Sequence, residues 1–97
     1  MSEFRPGPET RVRPRGDVLF RDLGGEAVLL DPEAGTYFGL NEVGTEIWSL
    51  LAEGTPLGEA HVRLVRTYDA PADEVWEDLV ALVRDLVGSR LVEVLDD

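Results

Sequence analysis

The side chains that could act in catalysis are few, and none stands in a recognisable catalytic setting. The chain has no cysteine and a single histidine. His61 falls on the apolar side of a predicted helix, where a packed, hydrogen-bonded residue is expected rather than a general base. The three serines, Ser2, Ser49 and Ser89, lack a base that would activate them. The acidic residues show neither calcium-loop spacing nor a zinc ligand cluster. The sequence predicts no catalytic residue, metal or cofactor.

The balance of charges narrows the choice of partners. Twenty acidic residues against nine arginines give a net charge of -11 over 97 residues, a length that suits one domain. So negative a surface repels phosphate backbones and anionic lipids. No stretch has the apolar run of a signal peptide or a membrane span. We therefore expect a cytoplasmic protein that binds neither nucleic acid nor membranes.

Residues 1–17 differ in composition from the rest of the chain. They hold four of the nine arginines and three prolines, and they show almost no apolar periodicity. This composition predicts a flexible or irregular N-terminal arm, followed by one domain over residues 18–97. Pairing of the end of the arm with the sheet is the alternative.

Three short strands precede three helices in the predicted order. Residues 18–23 and 26–31 form strands around Gly24 and Gly25, and a loop closed by Gly35 leads into a third strand at residues 36–40. Successive hairpins place this third strand at a sheet edge, where backbone N–H and C=O groups stay unpaired.

The helical half of the chain is marked by capping residues. Asn41 caps a helix that ends near Glu53, and this helix places Trp48 in the predicted core. Thr55 is predicted to cap a second helix, with Pro56 at its first helical position. A third helix runs from Pro71 to Gly88, and residues 91–95 are either extended or helical. The pattern predicts an α+β fold, a three-stranded antiparallel sheet followed by three α-helices, like a winged helix-turn-helix.

Helix three has an apolar face of roughly 160°, wider than a small domain usually buries. Two readings stay open: the helix is central to the core, or part of this face receives a partner. Two apolar stripes form the face: Val75, Leu79, Leu82 and Leu86, and beside them Trp76, Val80, Val83 and Val87.

Four segments together resemble the PqqD-like proteins, small elements that bind the leader segments of ribosomally made precursor peptides. The segments are residues 30–41 (LDPEAGTYFGLN), 47–51 (IWSLL), 68–71 (YDAP) and 77–79 (EDL). The resemblance implies that a peptide lies between the third strand and the third helix. It implies contacts with Val28, Leu30, Thr36, Tyr37, Phe38, Gly39, Leu40, Val75, Trp76, Asp78, Leu79, Leu82, Asp85 and Leu86. The carboxylates of Asp78 and Asp85 either receive a basic leader residue or form a solvated flank.

The function that follows is that of a non-catalytic recognition element. The leader adds as a β-strand along residues 36–40 and is presented to a separate enzyme. Within the family, the acidic chain resembles the discrete recognition protein of a split lasso-peptide leader peptidase, in antibiotic biosynthesis, whose partner is a transglutaminase-like cysteine protease. A PqqD-type chaperone of pyrroloquinoline quinone biosynthesis, serving another peptide-modifying enzyme, is the alternative. A winged-helix DNA-binding regulator is opposed by the acidic third helix. A free strand edge allows a monomer or a weak strand-paired dimer.

Overall fold

Five short strands and three helices make up the part of the chain that the computed structural model describes, residues 4–95. Met1–Glu3 of the predicted arm, and the last two residues of the predicted domain, lie outside it. In chain order the elements are β1 (Arg11–Pro14), β2 (Leu19–Asp22), β3 (Ala27–Asp31), β4 (Thr36–Leu40), α1 (Glu42–Ala52), α2 (Leu57–Tyr68), α3 (Ala72–Gly88) and β5 (Val92–Leu95).

The strands β2, β3 and β4 form the predicted antiparallel meander. Each hairpin is closed by an aspartate whose carboxylate accepts backbone N–H groups of the turn. Asp22 Oδ1 accepts from Gly24 at 2.9 Å, and Asp31 Oδ1 accepts from Glu33 at 3.1 Å. These local bonds favour the turns over extended chain. The sheet order β2-β3-β4 leaves β4 at an edge, which confirms the sequence prediction.

The two faces of this sheet differ in their burial. Ala27, Leu29 and Leu40 are buried on the inner face, against the helices. On the outer face, Leu19 pairs with Leu30 and Leu30 pairs with Tyr37, so that three apolar residues form a row across the strands. All three are exposed, and Tyr37 is 77% accessible. The alternation of the strands thus builds both the core and an apolar outer surface.

The helices begin and end close to the predicted residues. The side chain of Asn41 caps α1 by accepting the N–H of Gly44 at 2.7 Å, as predicted. The prediction of a Thr55 cap for α2 is wrong, because Pro56 occupies the N-cap position and no side chain caps the helix. Thr55 is buried instead, and its N–H donates to Leu50 O at 3.2 Å, which continues the tight turn after α1.

The core is one cluster of buried side chains from all three helices and from the inner face of the sheet. Trp48 of α1 is buried there, which confirms its predicted core role, together with Leu64 of α2 and Leu79 of α3. His61 is half-buried, and its Nε2 lies 2.6 Å from Ala72 O. Its ring meets Trp76 edge-on, with centroids 5.3 Å apart. The histidine therefore joins α2 to the start of α3, as a packed residue rather than a free base.

A second, two-stranded sheet pairs β1 with β5, with Val12 opposite Val94 and Arg13 opposite Glu93. Within residues 11–14, the structure therefore differs from the irregular arm that composition predicts. The physical reason is that Val12 is fully buried in the core, while Pro14 ends the strand. The same pairing settles the open prediction for residues 91–95 in favour of a strand. Between residues 4 and 95 no helix is long and apolar enough to cross a membrane.

Candidate functional site

The far side of β4 is one of the two edges of the three-stranded sheet. Among residues 4–95, β3 is the only strand that pairs with β4. The backbone groups on its other side are therefore available to a further strand, which would extend the sheet by hydrogen bonding. Tyr37 and Gly39 on this strand are exposed, and Phe38 is half-buried.

A groove of about 510 Å³ opens beside the end of this edge. We call it the edge groove. Its walls come from β4, from the first two turns of α1 and from the middle of α3. The lining residues are Gly39, Leu40, Asn41, Val43, Gly44, Ile47, Asp78 and Leu82. The lining combines aliphatic carbon with the Asp78 carboxylate, so that it suits an apolar side chain with a polar or basic neighbour.

A smaller cavity of about 110 Å³ adjoins the edge groove and shares three residues with it. We call it the side pocket. It reaches between α1, α2 and the start of α3, and its lining residues are Val43, Ile47, Leu64, Tyr68, Ala70, Val75 and Asp78. At about 30 Å³ per water molecule, it has the space of three to four waters, close to that of one branched aliphatic side chain.

Tyr68 is one of the residues that line the side pocket. Its pKa is raised from 10.0 by partial burial, and further by the carboxylates of Glu46 and Glu42. Both causes disfavour the phenolate. The hydroxyl therefore stays protonated at neutral pH and can donate a hydrogen bond to a carbonyl.

A third cavity, of about 330 Å³, lies at the other end of β4. It is lined by Thr36, Tyr37 and Phe38 together with Ser89 and Leu91, just beyond α3. Asp78 and Leu82 of α3 stand near the end of β4, and Ser89 stands near its beginning. Strand and helix therefore run in opposite directions, with one cavity toward each end of the strand.

The structure brings most of the predicted site residues to these cavities. Gly39, Leu40, Asp78 and Leu82 meet in the edge groove, and Val75 lines the side pocket. Thr36, Tyr37 and Phe38 line the third cavity.

Other predicted site residues lie elsewhere. Leu79 and Leu86 are fully buried in the core, and Trp76 packs against His61 of α2. Asp85 is exposed but lines none of the three cavities described above. Val28 and Leu30 lie on the outer sheet face, paired with Gly39 and Tyr37.

The contribution of α1 was missed from the sequence. Asn41, Val43, Gly44 and Ile47 form one wall of the edge groove. Val43 and Ile47 stand four residues apart on one helix face, but this spacing also fits a wholly buried stripe. Gly44 is a second signal: a Cβ there would stand 3.2 Å from Asn41 Oδ1 and 3.3 Å from Leu40 Cδ2. Glycine thus lets α1 approach the end of β4.

The geometry of the site suits the binding of an extended chain. Within residues 4–95, no group of three or more His, Asp or Glu side chains could hold a metal ion. The cavities present an open strand edge, apolar walls and one carboxylate. An extended peptide fits this arrangement, since its backbone can pair with β4 while alternate side chains enter the edge groove and the side pocket.

Comparisons with known proteins agree with this geometry. A family model described as coenzyme PQQ synthesis protein D, PqqD, matches residues 26–92. The chain belongs to the PqqD family. The match includes β3, β4, all three helices and the first residue of β5. The resemblance drawn from the sequence is thereby confirmed. No curated protein matches the sequence.

Two solved structures are similar to this PqqD-family chain. One is TbiB1 in complex with the TbiA(beta) leader peptide, which is 35% identical, with a TM-score of 0.80 over 88% of this chain and 99% of that one. The other is lasso peptide synthetase B1 complexed with the leader peptide, 24% identical, with a TM-score of 0.75 over 89% of this chain and 99% of that one. Because its identity is only 24%, the second structure is evidence for the fold alone.

Proposed function

We propose that this chain is a non-catalytic recognition element that binds the leader segment of a ribosomally made precursor peptide, of the lasso-peptide kind. The observation that carries the proposal is the unpaired edge of β4, bordered by the edge groove and the side pocket. The similarity to TbiB1, whose solved complex holds a leader peptide, supports the same ligand class.

The leader binds by β-strand addition. Main-chain hydrogen bonds to Thr36–Leu40 supply affinity that is nearly independent of sequence, and side chains entering the edge groove supply selectivity. A disordered leader loses conformational entropy when it becomes a strand. One or two anchoring side chains therefore carry most of the binding energy.

The second role is that of an adaptor for a separate enzyme. A bound leader holds the attached core peptide at high local concentration near any enzyme that also contacts this chain. A transglutaminase-like cysteine leader peptidase, or another peptide-modifying enzyme, is the proposed partner. The absence of cysteine from the chain supports the view that the peptidase nucleophile belongs to that partner.

A precursor gene is first sought beside the gene for this chain, and the test uses its leader as a fluorescein-labelled peptide. We expect saturable binding by anisotropy, and none of a fluorescein-labelled DNA duplex, because α3 exposes acidic side chains along its length. Binding of the duplex in preference to the leader would overturn the proposal.

The adaptor role is tested separately by mass spectrometry. The protein alone is expected to leave the full precursor unchanged, and to accelerate its cleavage by the neighbouring peptidase. Excess free leader should remove the acceleration by competing for the groove. Cleavage by the chain alone would contradict the non-catalytic role, and a peptidase equally fast without the chain would contradict the adaptor role.

A further inference from the structure

Gly39 is a glycine for which the chain itself offers no structural reason. It lies near the end of β4, and its φ is not among the positive values found at the turn glycines. A Cβ at this position would meet no atom of residues 4–95 within 4 Å, so none of these neighbours requires the space. Glycine weakens a strand, and within one it often marks the close approach of a ligand or another backbone.

The space above Gly39 opens into a fourth cavity, on the outer face of the sheet. We call it the outer pocket. Its volume is about 370 Å³, and its lining includes Leu23, Val28, Gly39 and Leu40, with the polar residues Glu26 and Asn41. At about 30 Å³ per water molecule, it has the space of roughly a dozen waters. Leu23 is 59% exposed, an apolar side chain with one face uncovered.

The outer pocket is continuous with the edge groove. The two cavities share Gly39, Leu40 and Asn41. The outer pocket reaches the outer face of the sheet at Val28 and Gly39, which are paired across β3 and β4. A strand added to β4 directs successive side chains to opposite faces. Side chains of one parity therefore point toward the edge groove, and those of the other parity point to the outer face beside Gly39.

From this geometry we infer that the outer pocket is a second side-chain subsite for the leader peptide. It takes one large apolar side chain, of the opposite parity to the residue in the edge groove. That side chain crosses Gly39 to reach Val28, with Leu23 as the far wall, and the missing side chain at Gly39 keeps the path open. The inference rests on the proposed leader-binding function.

Substitutions of Gly39, at the floor of the outer pocket, and of Leu23, at its far wall, test the inferred subsite. Gly39→Val places a branched side chain in the path, and valine suits a strand, so that the variant should fold at least as stably as the wild type. Leu23→Ser removes the far wall from an exposed position. Val62→Ser is the matched control, because Val62 is 48% exposed on α2, away from the sheet.

The affinity of each variant for the fluorescein-labelled leader from the neighbouring precursor gene is measured by anisotropy. We expect Gly39→Val to weaken binding about tenfold or more, Leu23→Ser to weaken it several-fold, and Val62→Ser to leave it unchanged. An alanine scan of the leader, repeated with Gly39→Val, should show one position whose effect disappears in the variant. That position identifies the side chain in the outer pocket.

The possible results distinguish a failure of the inferred subsite from a failure of the proposed leader-binding function. If the wild type binds the leader and Gly39→Val binds it equally well, the subsite is refuted while the recognition role stands. If the wild type shows no saturable binding, both are refuted. If Gly39→Val changes the oligomeric state in size-exclusion chromatography while leader affinity is unchanged, the pocket belongs to a contact between two copies and the inference is overturned.

Discussion

Replacing Gly58 by alanine should destabilise the protein, although alanine is the better helix former. Gly58 is the second residue of α2, and a Cβ there would stand 2.9 Å from Pro8 Cβ and 3.2 Å from Pro8 O. Carbon atoms prefer separations of about 3.5 to 4.0 Å. Pro8 would therefore have to retreat by more than about half an ångström, by the same criterion.

That retreat would disturb the contacts that hold the N-terminal segment on α2. Pro8 O accepts the N–H of Gly58 at 2.9 Å, and Thr10 O accepts the N–H of Leu57 at 3.0 Å. Overpacking costs about 1 to 3 kcal/mol, and each hydrogen bond contributes about 0.5 to 1.5 kcal/mol. Alanine recovers at most about 1 kcal/mol of helix propensity. We expect a net loss of about 1 to 2 kcal/mol in the free energy of unfolding.

Gly88→Ala is the matched control, since Gly88 is the last residue of α3 and a Cβ there would meet no atom within 4 Å in the described part of the chain. The same substitution should stabilise the protein by about 0.5 to 1 kcal/mol. Both variants are measured by urea unfolding followed by tryptophan fluorescence, because Trp48 is buried in the core. Hydrogen exchange of the backbone amides of Leu57 and Gly58 in the wild type, and of Leu57 in the variant, shows whether the loss of stability arises at this contact. A Gly58→Ala variant as stable as Gly88→Ala would refute the reasoning.

Three further predictions concern the site. Asp78→Asn should weaken leader binding by about 0.5 to 2 kcal/mol if the leader presents a basic residue, and the loss should shrink as salt rises. Asp85→Asn changes the net charge equally but lies outside the edge groove, so that equal losses for both variants would point to general charge rather than to contact. Gly39→Pro should abolish binding while the circular dichroism stays native, because proline fixes φ and removes a backbone donor; unchanged affinity would exclude pairing along β4 at this residue. In a Tyr37→Phe variant Tyr68 is the only tyrosine, and its absorbance titration should have a midpoint above 10.0 that falls in Glu46→Gln. Since the folded pKa is raised, the stability that neutral Tyr68 contributes is complete below about pH 10 and is lost as the pH rises through the folded pKa; a midpoint at or below 10.0 would contradict the shift.

The elements that sequence predicted well are those whose signals are local. The two hairpins are closed by Asp22 and Asp31 together with nearby glycines, and α1 is capped by Asn41, all within five residues of the structure they determine. The pairing of β1 with β5 could not be read in this way. Each strand has four residues, and the bond between Arg13 and Glu93 joins residues 80 positions apart.

The candidate site shows what helical periodicity alone cannot predict. Helical periodicity gives the direction of a side chain around the axis but not its height along it. Asp78 and Asp85 are seven residues apart, so they point in nearly the same direction at heights about 10 Å apart, and only Asp78 reaches the edge groove. Periodicity also cannot separate a core position from a cavity wall. Leu79 was assigned to the site and is buried, whereas Val43, whose spacing fits a buried stripe equally well, lines the groove.

The β1–β5 ribbon has a consequence for the order in which the protein folds. β1 is made before every other described element and β5 after them all, so on the ribosome β1 has no partner strand until synthesis has passed Leu95. Closing a loop of 80 residues costs about 2.5 kcal/mol more entropy than closing a five-residue hairpin loop. The meander and the helices, whose contacts are mainly local, are therefore expected to form first. The edge of β4 is therefore expected to take shape before β1 and β5 pair and close the fold.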